Sequence, residues 1–442
     1  MRKYQQLVLL LISCLSVGVL LMYKTENNRL KYVLKYVNFF GRSDVAVLRR
    51  LENGTKEDLP QTALWRPMPV WQVIGDSFHA YSAYWMRKEL VAGGEAHVLV
   101  VGKQGAVVDF RCSLAVGGSR SVQGKFRFQR DASEGLLNDK STNFTSYHFF
   151  CQVSRDFGQP ESVSFTDITS IRSPVKIRLH HLKRASGSTD AKAAAATAPS
   201  PARLPATVCV DLVGFNMTSG FGRNENALLQ FFLIHQALGI EHFLVYNYDE
   251  LPENIIRVLD RTNIHLYALP FNFPFLLNNA TASRVRELIQ TDCLLRNVNQ
   301  ASFTILLQPN EVFYPNSRFA ADRSQNSLQQ QLRHFSADTA RFELATFAVC
   351  FDELKKLLLD NIQYDPECKA PYKMLLDRLD LPPTQLLAST AHVELSLSTG
   401  FVHRYVDCAR VGADGLHDWR NGVRKDFMDH INSLRNEVDL LI

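Results

Sequence analysis

At 442 residues, 46% hydrophobic and 21% charged, the chain carries enough apolar matter for at least one large core and more plausibly two, which excludes a disordered protein. Its 49 basic and 44 acidic residues leave a net charge of +5. The basic residues are scattered rather than clustered, so no nucleic-acid partner is expected.

The first element is Leu7 to Met22, an apolar run without charge, preceded by Arg2 and Lys3 and followed by Lys24. At about 16 residues it is slightly short for a full span and long for a signal-peptide core; the first reading is an uncleaved signal anchor, a transmembrane helix with residues 1–23 forming tail and anchor. A cleaved signal peptide competes, with Ser16 and Gly18 as a small-x-small site. Flanking charge does not orient the segment, because Lys24, Arg29, Lys31 and Lys35 outweigh Arg2 and Lys3. Four Asn-x-Thr acceptor triplets, at Asn53, Asn143, Asn216 and Asn279, all follow the apolar run and favour a lumenal body. The expectation is a single-pass type II protein held in the bilayer through Leu7 to Met22.

Residues 24–64 lack a sustained period and read as a stem. From 65 to 182 short β-branched and aromatic runs recur at Val98 to Val101, Ala106 to Phe110, Lys125 to Phe128, Tyr147 to Val153, Val163 to Phe165 and Val175 to Leu179, as in a small all-β domain. Cys112 and Cys151 fall in this region and are natural disulfide partners. Cys14 lies in the apolar run, so seven cysteines remain in the body. An odd number leaves one thiol free or paired with another chain, and the lack of any CxxC pair argues against zinc.

Residues 183–207, rich in Ala, Ser, Thr and Pro, form the clearest linker. Beyond it, from 208 to 442, strand and helix patterns alternate: a strand at Val208 to Phe215, a helix at Asn226 to Leu238, a strand at His242 to Tyr246, a helix at Glu253 to Leu259 and a strand at Ile264 to Leu269. A helix at Arg284 to Arg296 then leads into the strand Phe303 to Leu307. Such alternation implies an α/β domain with a mostly parallel sheet, whose ligands sit beyond the carboxyl ends of the strands. The apolar strand at Phe303 to Leu307 breaks at Gln308-Pro309-Asn310-Glu311. At the end, Phe427, Ile431, Leu434, Val438 and Leu441 have the spacing of an amphipathic helix, assigned to packing.

Several phrases stand in a characteristic order: Val208-Cys209-Val210, Leu228 to Phe232 with HQALGIEHF (235–243), Tyr246-Asn247, Asp292-Cys293-Leu294-Leu295-Arg296-Asn297, and a strand ending in QPNEVFYP. In them the segment from about Pro205 to Cys408 resembles glycosyltransferase family 92. Tyr81-Ser82-Ala83-Tyr84, near Arg87, extends the resemblance weakly into the β region. The resemblance implies a GT-A-like (Rossmann-like) mixed-sheet domain after the small all-β domain. It also implies a Golgi enzyme moving a hexose, galactose foremost, from a UDP-sugar donor to a glycan or glycoprotein acceptor.

Such transferases use two carboxylates after an apolar strand to hold manganese or another divalent cation against the diphosphate. Where the family has a DxDEF phrase, this chain has Gln308 and Asn310 and keeps Glu311 and Pro315. Amide oxygens bind a hard cation weakly and neutralise no phosphate charge, so metal-dependent transfer is the doubtful step. A metal set of Gln308, Asn310, Glu311 and His403 is the candidate; His403 lies in a phrase similar to the family's HYR, and it reads equally as a half-buried strand-edge histidine. Asn247, Asp249 and Asp292 are candidate nucleotide-sugar contacts, although the first two also suit a turn and Asp292 a salt bridge. Cys293 is expected to pair or pack. For the catalytic base of an inverting transfer the candidates are Glu394 and Asp418. A second reading, prompted by the lost aspartates, is an inactive relative serving as a glycan-binding or partner-binding module.

Overall fold

Runs of β-branched and aromatic residues separated by turn formers fold as a β-rich region, and alternating strand and helix patterns fold as a separate mixed-sheet region. The computed structural model describes residues 71–441 with breaks, the longest at 131–143 and 183–202. Among the described residues no helix is long and apolar enough to cross a membrane. The apolar run Leu7 to Met22, the stem 24–64 and most of the linker 183–207 lie outside them.

The β-rich region contains β1 (Gln72–Ile74), β2 (Phe78–Arg87), β3 (Gly94–Lys103), β4 (Phe110–Val116) and β5 (Arg120–Arg130). It continues with β6 (Phe144–Val153), β7 (Ser162–Asp167), β8 (Lys176–Arg178) and β9 (His180–His181). The sheet order is β1-β2-β3-β6-β5-β4-β7-β8, with β9 added in parallel to β2. The apolar run at 106–110 contributes only its last residue to a strand, because Gly105 turns the chain before it. β3 is buried on both faces apart from its last residue. Val98 and Val100 face Phe78, Phe149 and Phe165, whereas Leu99 and Val101 face the second region. That is why its sequence is continuously apolar instead of alternating. β5, with one face in solvent, alternates.

A disulfide joins Cys112 on β4 to Cys151 on β6. Gly124, opposite Cys112 in the ladder, is required there: a Cβ would lie 2.4 Å from Cys151 Sγ. Two further disulfides, Cys209–Cys293 and Cys350–Cys408, leave Cys368 as a free thiol among the described residues.

The second region opens with β10 (Leu204–Asp211), α1 (Glu225–Ala237), β11 (His242–Tyr246), α2 (Glu253–Leu259) and β12 (His265–Leu269). There follow α3 (Asn279–Asn297), β13 (Ala301–Leu307), β14 (Glu311–Pro315), α4 (Leu328–Arg333), β15 (Arg341–Cys350), β16 (Gln363–Asp365) and β17 (Met374–Arg378). The chain ends with β18 (Val393–Glu394), β19 (Gly400–Val406), β20 (His417–Asp418) and α5 (Lys425–Leu441). β10 starts at Leu204, inside the expected linker, because Ala206 and Val208 are already needed in the core.

Strands β12-β11-β10-β13 are parallel neighbours, and β17 and then β15 extend the sheet antiparallel. The chain runs outward from β10 to β12, then returns through α3 to β13 on the other side of β10. A switch point therefore lies between the carboxyl ends of β10 and β13, the place where open sheets of this kind leave a crevice. Alternate residues separate the faces. Val208 and Val210 pack with α1, α2 and α5, while Cys209 and Leu306 pack with α3 and the β-rich region. Burying a side chain such as Phe231, Phe232 or Ile255 is worth roughly 1.5–3 kcal/mol, which holds these helices to the sheet. In α5 the buried stripe is Phe427, Ile431, Leu434 and Val438; Leu441, expected in it, is 54% exposed at the frayed end.

Candidate functional site

At the switch point stand the residue that ends β10 and the turn that follows β13. Asp211 ends β10 and is buried, its Oδ1 accepting the Val213 N–H at 2.9 Å. After Leu307 the chain turns tightly: the Glu311 N–H donates to the Gln308 carbonyl, and the Gln308 N–H donates to Glu311 Oε2 at 2.8 Å. Pro309 cannot extend the ladder, so the strand stops there.

Arg286, on α3, bridges the two strand ends. Its Nη1 lies 3.3 Å from Asp211 Oδ2, its Nη2 3.0 Å from Glu311 Oε2 and 2.9 Å from the Leu306 carbonyl. Its guanidinium also stacks over Tyr372, 3.9 Å from the ring centre. The Tyr372 hydroxyl donates to Glu311 Oε1 and approaches Gln308 Oε1 at 3.3 Å. Burial pushes the Asp211 carboxyl up to about 6 despite the attraction of Arg286. Burial, then the Glu311 charge, pushes the Tyr372 phenol well above its usual range. Tyr372 thus stays a neutral donor.

These residues do not form a divalent-cation site. Both Glu311 oxygens are already engaged by Arg286, Tyr372 and a backbone N–H. Asn310 spends its Nδ2 on the Tyr405 carbonyl at 2.9 Å, leaving a buried Oδ1 without a partner. His403 points elsewhere. In the β14–β19 register Glu311 faces Arg404, while Val312 faces His403, so Glu311 and His403 lie on opposite faces of the sheet. His403 is fully buried among Tyr314, Phe401 and Trp419, both ring nitrogens lack partners, and burial lowers it to about 3. The expected set of Gln308, Asn310, Glu311 and His403 therefore does not converge. Among the described residues no group of three or more His, Cys, Asp or Glu side chains is placed to hold a metal ion.

Asp292, expected to contact a nucleotide, is an internal tie. It is fully buried; its Oδ1 accepts from Ser82 Oγ and Tyr84 OH on β2, and its Oδ2 from Tyr246 OH and Arg296 Nε. Arg296 and these donors hold its carboxyl below the usual range against the opposing effect of burial. With four side chains on two oxygens, Asp292 is spent on joining the β-rich region to α3.

Asn247 sits after β11 with φ at +59°, leading into the short 3-10 turn that holds Asp249. This turn lies at the carboxyl end of the parallel sheet. Glu394 is exposed on β18, beside Glu343 of the sheet edge. Asp418 is gripped by Arg420, Nε to Oδ1 at 2.9 Å, and caps the turn that follows it. Neither carboxylate is brought to Glu311 by any contact in the fold. Asn216 is exposed in the loop after β10 and Asn279 opens α3, whereas Asn53 and Asn143 lie outside the described residues.

Arg286, Asp211, Tyr372 and Arg404 were not singled out from the sequence. Asp211 had a signal, as the residue closing a strand beside the crevice. Arg404 had a weaker one, adjoining His403 in the same phrase. Arg286 and Tyr372 had none.

Residues 212–357, from the end of β10 through β15, match the model of glycosyltransferase family 92. No curated protein matches the chain.

Proposed function

We propose that this chain, as a member of glycosyltransferase family 92, transfers a hexose, galactose foremost, from a UDP-sugar to a glycan or glycoprotein acceptor in the Golgi lumen, held there as a single-pass type II protein. The observation that carries the reading is the family match over 212–357, a stretch that includes Arg286 and the whole Gln308 to Glu311 turn. The crevice adds support: a sheet of the GT-A kind would present its donor there, beyond β10 and β13. Three disulfides among the described residues suit an oxidising compartment. The apolar run Leu7 to Met22 would supply the anchor.

The chemistry available to the crevice is positioning and electrostatics. Asn247 and Asp249, which follow the carboxyl end of β11, would meet a nucleoside. Gln308 offers its amide at the diphosphate end, and Arg286 fixes the floor beneath it. The test is incubation of the full-length chain with UDP-galactose, UDP-glucose and UDP-N-acetylglucosamine over a panel of protein-linked glycans. Mass spectrometry is expected to show a 162 Da hexose increment, roughly ten-fold above boiled protein; no increment on any acceptor with any donor would remove the transferase reading.

One observation favours a second reading. Glu311, the acid retained from the metal-binding phrase, is locked by Arg286 and Tyr372. A chain that binds donor or glycan without turnover would serve as a binding module. Donor binding by calorimetry without product after a long single-turnover incubation would favour it.

A further inference from the structure

We infer that the crevice beyond β10 and β13 takes the pyrophosphate of a nucleotide donor on Arg404, without a divalent cation, because Arg286 already fills the cation position between Asp211 and Glu311. The inference rests on the nucleotide-sugar reading and specifies how that site recognises its substrate.

The position between two carboxylates at neighbouring parallel strand ends is where an oxygen-bound cation would sit. Here it holds a guanidinium. Arg286 reaches it from α3, buried, with Nη1 3.3 Å from Asp211 and Nη2 3.0 Å from Glu311. A further bond to the Leu306 carbonyl and the Tyr372 ring beneath it fix its plane. An incoming ion would have to expel a buried charge from all four partners, and the neutral amides of Gln308 and Asn310 offer little in exchange.

Among the described residues at this turn, the charge that remains available is Arg404. It stands directly opposite Glu311 in the β14–β19 pairing, hence on the same face, and it is half-buried. Its Nε is shielded from solvent and has no hydrogen-bond partner. Glu311 does not satisfy it, since Arg286, Tyr372 and the Gln308 N–H have taken both carboxylate oxygens. A shielded guanidinium donor facing a polar crevice with no acid of its own is suited to a bidentate phosphate. The Gln308 side-chain amide stands at the same turn, and its Nε2 hydrogens would complete the contact, while the Tyr372 hydroxyl stays committed to Glu311.

The experiment uses the full-length purified chain. Manganese alone is added first and free ion followed by electron paramagnetic resonance; the expected signal matches that of buffer. UDP is then titrated calorimetrically in manganese and in EDTA, with dissociation constants expected to agree within about two-fold. Arg404→Gln should weaken UDP at least ten-fold in both buffers at an unchanged melting temperature. Arg404→Lys should recover part of that loss, which distinguishes a lost charge from misfolding.

Attenuation of the manganese signal that Glu311→Gln abolishes, or UDP binding ten-fold tighter in manganese, would overturn the inference and leave the transferase reading standing. An unchanged UDP affinity in Arg404→Gln would do the same for the role of Arg404. Absence of UDP binding in either buffer would overturn both together.

Discussion

His403 shows how one residue separates two accounts of the site. If it were held in reserve for a ligand, replacing it would cost ligand affinity, whatever the change in stability. Its ring is enclosed by Tyr314, Phe401 and Trp419 with neither nitrogen bonded. An unpaired buried polar group costs about 1–3 kcal/mol, whereas the slightly larger phenyl ring must be accommodated in the same cage at about 1 kcal/mol or more. His403→Phe is therefore expected to raise the melting temperature by roughly 2–4 °C and to leave UDP affinity within two-fold, measured by calorimetry. A ten-fold loss of UDP affinity at a retained melting temperature would restore His403 to the site. The sequence singled out His403, whereas the register puts its neighbour Arg404 on the face of Glu311. Neighbours in a strand point to opposite faces, and which face meets the crevice is set by pairing with β14, some 90 positions away. Local sequence carries no trace of that register.

At the scale of elements, α3 is the hinge between what was legible and what was not. Its existence follows from helical spacing at Arg284 to Arg296, and the structure extends it to Asn279–Asn297. The strands on either side of α1 and α2 were equally readable, since short apolar runs between turn formers have few alternatives. What the period does not reveal is which polar residues of α3 turn inward. Arg286, Asp292 and Arg296 are all buried, each paid for by partners from distant strands. Asp292 reads as a solvated or site-facing acid because its partners Ser82 and Tyr84 stand more than 200 residues earlier in the chain. Asp292→Asn should leave Arg296 as an uncompensated buried charge and cost about 3–5 kcal/mol. Urea denaturation would measure it, with the midpoint shifted to lower urea at unchanged slope. A loss under 1 kcal/mol would mean that the tie between β2 and α3 is dispensable.

For the molecule as a whole, the buried titratable groups set an acid limit. His180 and His403 are held near 3 and His235 and His242 near 4, in each case chiefly by burial, and His97 is lowered well below its usual value for the same reason. A histidine depressed on folding stays neutral in the native state while the unfolded chain takes up a proton below about 6.5. Its contribution is thus complete above pH 6.5 and is lost as pH falls toward the folded value. Asp211 and Asp377 act in the opposite sense. Burial raises each to about 6, so the native state binds their protons first and gains stability as pH falls through 6. For Asp377 the Arg341 partner, at 3.1 Å but off the hydrogen-bonding direction, does not offset the burial. At pH 5 each depressed histidine has cost on the order of 2 kcal/mol and each raised aspartate has returned about 1 kcal/mol. Five histidines outweigh two aspartates, so the melting temperature should fall steadily from pH 7 to pH 5, and the slope should flatten by about one proton in His403→Phe. A melting temperature that rose across that interval would show that the aspartates, and not the histidines, govern the acid response.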